Sequence, residues 1–133
     1  MNISYVKLFN QTTDEFFNDL ISIFPHETKI KVTYNLFQTV SKVNVKKPCQ
    51  DFMINIIPYL EIICVKDEQF FINQENKPKF FDEINFSELW KIGLSDKDKE
   101  IIWKYIKNFI AIGNQIVKMP EETLPLINYI INH

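Results

Sequence analysis

The sequence predicts an all-α protein, a compact single-domain bundle of five to seven helices over residues 1–133. Three observations predict it. Apolar residues recur at three- and four-residue spacing along most of the chain, and capping residues and prolines stand where those stretches begin and end. The apolar fraction, 46% with 14% aromatic residues, is ample for one core, and a chain of this size buries about two-thirds of its unfolded surface unaided by metal or disulfide.

The first helix is expected over "TTDEFFNDLISIF". Thr12 and Glu15 fit a capping box, Phe16, Phe17, Leu20, Ile21 and Phe24 fall at helical spacing, and Pro25 stops the run. The next stretch, "HETKIKVTYNLFQTVSKV", places Ile30, Thr33, Phe37, Val40 and Val43 on one side, although its β-branched residues weaken helix propensity. Pro48 suits a first helical turn, and after it Phe52, Met53, Ile56, Ile57, Leu60, Ile63 and Cys64 carry the stripe onward. Pro58 must kink that run or start a new helix. A small β-hairpin near 60–73 is the competing reading, because both arms of "LEIICVKDEQFFIN" are β-prone.

"NQENKPKFFD" reads as a loop and "NFSELWKIG" as a short helix ending at Gly93. The strongest helical signal is "LSDKDKEIIWKYIKNFIAIGNQIVK", with Ser95 as N-cap and acidic residues in its first turn. At 100° per residue, Ile102, Tyr105, Ile106, Phe109, Ile110, Gly113, Ile116 and Val117 share a face, widened by Ile101 and Ile112 on one flank and Trp103 on the other. A face that wide meets neighbours on two or three sides. Gly113 within it costs about 1 kcal/mol against Ala, so another backbone is expected to approach there. Pro120 opens a last short helix, its start blurred by Pro125.

Composition narrows the function classes. All 15 basic residues are Lys, Ile occurs 21 times, and Ala only once. That skew follows A/T-rich codons, so the missing Arg is no evidence against phosphate binding, though it removes the bidentate fork that phosphate recognition favours. With two glycines no Gly-rich phosphate loop is formed. Cys49 and Cys64 sit among apolar residues, which predicts two reduced, buried thiols in a cytosol-like compartment. The N-terminal stretch turns polar within ten residues, unlike a secretion signal, and no apolar run reaches the ~20 residues of a membrane span. His26 and His133 stand apart from each other and from cysteine, so no metal site is expected. The acidic pairs, Asp14–Glu15, Asp67–Glu68, Asp82–Glu83 and Glu121–Glu122, read as solvated or dipole-stabilising groups, since neighbouring carboxylates on a helix diverge.

The succession "FFNDLISIFP", "PYLEIICVKDEQFF", "INFSELW" and "KEIIWKYIKNFIAIG" resembles a group of small helical proteins of nucleocytoplasmic large DNA viruses, the giant viruses. It covers about residues 9 to 113, most convincingly the last third. The shared residues are apolar, so the resemblance implies a common fold and a host-cytoplasm, viral-factory or virion setting, not a chemistry.

The expectation is therefore a non-enzymatic protein–protein interaction or assembly module without cofactor, cytoplasmic and not secreted. It would bury an aromatic, Ile-rich patch against a protein partner or another copy, with Trp103, Trp90, Phe80 and Phe81 as anchors. The alternative is a nucleic-acid-associated accessory protein. It would use a Lys-rich face of Lys29, Lys31, Lys42, Lys46 and Lys47, which stand against only Glu27 between residues 26 and 47.

Overall fold

The computed structural model describes residues 3–73, 84 and 86–133. Helix α1 runs Ile3–Ile23, nine residues longer at its start than the capping signal suggested. Tyr5, Val6 and Phe9 extend the apolar period upstream, so burial overrides the Thr12 cap. Thr12 and Thr13 lie in the helix interior and are buried, and the Thr13 hydroxyl donates back to the Phe9 carbonyl at 2.9 Å. The end is as expected, one residue before Phe24–Pro25.

Helix α2, Thr28–Val43, presents Ile30, Thr33 and Phe37 to the core. Thr33 is tolerated there because its hydroxyl donates to the Lys29 carbonyl at 2.8 Å. Val40 is half-buried, whereas Val43, expected on the same face, is 85% exposed at the last residue of the helix. Helix α3, Lys47–Ile56, carries Pro48 in its first turn and buries Cys49, Phe52, Met53 and Ile56. At Pro58, which has no N–H to donate, the chain tightens into a 3₁₀ turn, Ile57–Tyr59, before α4 resumes over Leu60–Cys64.

The hairpin alternative is not realised. Lys66 takes a left-handed φ of 51°, the Asp67 N–H reaches the Ile62 carbonyl at 3.1 Å, and the Lys66 N–H reaches that of Ile63 at 3.0 Å. This pairing is a Schellman ending with lysine where glycine is usual. It turns the chain into the four-residue α5, Gln69–Ile72, which buries Phe70 and Phe71. The loop-like stretch 73–82 lies, after Asn73, outside the described residues. Helix α6, Phe86–Lys91, is followed by Gly93 at φ 95°, as its sequence predicts.

Helix α7, Asp96–Asn114, starts where Ser95 accepts the Asp98 N–H at 3.1 Å. A final 3₁₀ turn, Glu121–Thr123, leads into α8, Leu124–Asn132, with Pro125 in its first turn. Taking 47–64 as one kinked helix, the described residues hold seven helical segments and no strand. The fold is all-α.

The breadth of the α7 face has a simple cause. Helix α7 packs against α1, α3 and α8 together, burying Ile102, Ile106, Phe109, Ile110 and Gly113. Phe109 sits in a knot of rings, 5.2 Å from Phe9, 5.4 Å from Phe52 and 5.5 Å from Phe16 between centroids. Gly113 faces a side chain rather than a backbone: a β-carbon there would lie 2.4 Å from the Met53 sulfur. Every helix contributes to this one continuous core.

Candidate functional site

Where α4 and α8 flank α7 they leave an open groove of about 790 Å³. Helix α4 and its terminal turn supply Ile63, Cys64, Val65 and Lys66. Helix α7 supplies Lys97, Glu100, Ile101, Trp103, Lys104 and Lys107, and α8 closes the far wall with Tyr129, Ile130 and His133. The α4 wall is held to α8 in part by the Cys64 thiol, which donates to the Leu126 carbonyl at 3.6 Å.

Trp103 is half-buried at the groove because Phe71 meets its ring edge-to-face at 4.8 Å and Phe70 lies 6.1 Å away. One side of the indole is thus fixed from the core. On the far wall Tyr129 and His133 stack at 4.2 Å with their rings 10° apart. Four lysines against one glutamate make the rim strongly cationic. None of the four takes part in an ion pair among the described residues, in contrast to Lys99, whose ammonium lies 2.9 Å from the Glu68 carboxylate. Lys99 draws the Glu68 carboxyl below its ordinary range and stands 5.9 Å from the centre of the Trp90 ring.

On the opposite flank of α7 a shallower depression of about 280 Å³ is lined by Glu15, Asp19, Ile101, Lys104, Tyr105 and Asn108. There the Tyr105 hydroxyl donates to the Asp19 carboxylate. Burial first, and that carboxylate second, push the Tyr105 ionisation upward. Lys104 therefore stands on a ridge between an acidic side and a basic one.

The two thiols are poor nucleophiles as they stand. Burial pushes Cys49 up to about 12, and burial followed by the Glu61 charge raises Cys64. Both are free. Among the described residues no three His, Cys, Asp or Glu side chains come together as a metal set, and no helix is long and apolar enough to cross a membrane.

Of the two expected anchors among the described residues, Trp103 lies at the groove and Trp90 does not. Trp90 belongs to the core: it is 7% exposed and stacks on Phe71 at 4.3 Å. Its place between Phe71 and Lys99 follows from the tertiary packing of α5 and α6, to which the local sequence is blind. Phe80 and Phe81 lie outside the described residues. The five lysines of the alternative reading do not form one face. Lys31 and Lys42 share a flank of α2 about 16 Å apart along the axis, Lys29 lies about 160° round from Lys31, and Lys46 and Lys47 stand at the start of α3. Lys47 is already paired with Asp51 at 3.1 Å.

Sequence reasoning missed the lysines that do converge. Lys97, Lys104 and Lys107 recur at seven and three residues, a helical repeat that was readable. Lys66 reaches the same rim only through the turn after α4, which no local pattern announces.

No protein-family model matches the chain, and no curated protein or solved structure matches it.

Proposed function

We propose that this chain is a non-enzymatic protein–protein interaction module, a single helical domain whose contact surface is the groove between α4, α7 and α8. The observation that carries the reading is Trp103, half-buried in an open, apolar-floored groove. Tryptophan is the residue type most enriched among energetic anchors of interfaces, and it works best in a partly formed pocket with a polar rim. Ile63 and Ile130 give such an apolar lining beside Trp103, and the lysines a polar surround, with Ile101 on the ridge shared with the second depression. The setting suggested by the sequence resemblance, the cytoplasm of a cell infected by a giant virus, belongs to the same proposal.

The nucleic-acid alternative draws less support, because Lys29 lies far round α2 from Lys31 and Lys42 and Lys47 is paired with Asp51. The test compares wild type with Trp103→Ala in three respects: thermal stability, molar mass by light scattering at low and high salt, and the proteins retained from cells that express the chain. A change in mass or in retained partners at matched folding supports the reading. A variant that differs in stability alone, with mass and partners unchanged, overturns it.

A further inference from the structure

Resting on the reading of the groove as a docking surface, we infer that its occupant is an acidic amphipathic helix from a different protein, laid along α7. The shape of the groove sets the length of the guest. Its α7 wall is marked by Lys97, Glu100, Ile101, Lys104 and Lys107, eleven residues of helix, whose ten rises of 1.5 Å span about 15 Å. Three turns of a second helix cover that distance. A small ligand would leave much of its surface in water in so open a furrow, whereas ligand pockets bury most of theirs.

The floor sets the chemistry of the inner face. Ile63 and Ile130 are aliphatic and nearly buried, and Trp103 spends one side of its ring on Phe71. Such a floor accepts Leu, Ile or Phe knobs at i, i+3 or i+4, and i+7. It suits stacked nucleobases less well, because single-strand sites set bases on exposed aromatic faces and Tyr129, the exposed aromatic of the far wall, already spends one face on His133.

The rim sets the charge. Lys97, Lys104 and Lys107 on one side face Lys66 on the other, with Glu100 among the lining residues and Glu61 near enough to act on Cys64. Lys66 holds this position from a left-handed backbone at φ 51°, where glycine would be unstrained. A guest with carboxylates flanking its apolar stripe answers this rim, and a neutral or basic one does not.

Among the described residues, the exposed apolar row on α2 of a second copy does not supply that guest. The apolar stripes of α1 and α7 are buried. The exposed apolar row Val32, Leu36 and Val43 on α2 belongs to a helix with Lys29, Lys31 and Lys42 and no acidic residue. Two such basic surfaces repel.

The experiment titrates the full chain with a synthetic helical peptide of about twelve residues, leucines along one stripe and glutamates on both borders. Tryptophan emission and calorimetry report binding. Peptides with glutamine or lysine in place of glutamate, and a single-stranded oligonucleotide, are run beside it. The acidic peptide is expected to bind at least about tenfold tighter than the glutamine one and to weaken with salt. The chain carrying Lys97→Glu, Lys104→Glu and Lys107→Glu, folded by circular dichroism, should reverse the order and prefer the lysine peptide. A merely structural effect of the lysines cannot produce that swap. Equal binding of all three peptides, lost in Trp103→Ala, overturns the acidic partner while leaving the docking surface in place. Tighter binding of the oligonucleotide than of the acidic peptide, or no peptide binding at all, also overturns the inference.

Discussion

Gly113 and Met53 show how one missing methyl group positions two helices. A β-carbon on Gly113 would fall 2.4 Å from the Met53 sulfur and 2.6 Å from its γ-carbon, and Met53 is fully buried. Replacing Gly113 with Ala gains about 1 kcal/mol of helix propensity, but overpacking a filled core costs about 1–3 kcal/mol. Gly113→Ala is expected to destabilise the fold by about 1 kcal/mol in urea unfolding. With Met53→Ala present the same change should be neutral or stabilising, a coupling that a double-mutant cycle measures. That something approaches closely at the glycine was legible in the sequence, because it interrupts a strong helix at a core position, but the expected neighbour was a backbone and the actual one is a side chain. That side chain was not legible: nothing near Met53 announces a neighbour sixty residues on.

The element boundaries were legible where a local chemical signal was strong. Ser95 caps α7, Pro58 breaks α3 from α4, and Gly93 follows α6 as its sequence predicts. The start of α1 was misplaced because Thr12 and Glu15 imitate a cap while Val6 and Phe9, upstream, have core to fill. At the end of α4 the Schellman geometry is met by a residue the sequence did not advertise for it. Lys66→Gly relieves a left-handed conformation that costs a side-chain-bearing residue about 1–2 kcal/mol, offset partly by the greater freedom of unfolded glycine. The variant should therefore unfold later, by up to about 1 kcal/mol, and bind the acidic peptide more weakly. A stability gain without loss of binding would remove Lys66 from the proposed rim.

At the scale of the molecule, all-α character was written in periodicity, while the groove was not. The groove exists because α4 packs against α8 while lining the same space as α7, and α4 lies far from both of those helices in the chain. Only the Lys97, Lys104 and Lys107 repeat could have pointed to it. The same long-range packing brings Glu68, at the entry to α5, to Lys99 on α7. Because the Glu68 carboxyl titrates below its ordinary value in the folded state, the pair's contribution is present above the unfolded carboxyl pKa. It is lost as pH falls through the lowered folded one. Glu68→Gln should lower the thermal midpoint near neutrality and converge with wild type in acid. Parallel curves across that window would show that the pair adds nothing. The effect is expected to be small, since both side chains remain partly in water.

Phe71 lies within 5.3 Å, centroid to centroid, of Phe86, Trp90 and Trp103. Helices α5 and α6 have four and six residues, too few to persist as isolated helices in water. That ring contact, more than their own ladders, is what should protect their amides from hydrogen exchange. The two helices are expected to open as one unit, exchanging together and faster than α1 and α7. Each opening bares the fixed side of Trp103, so the groove is assembled only as often as this small unit is closed.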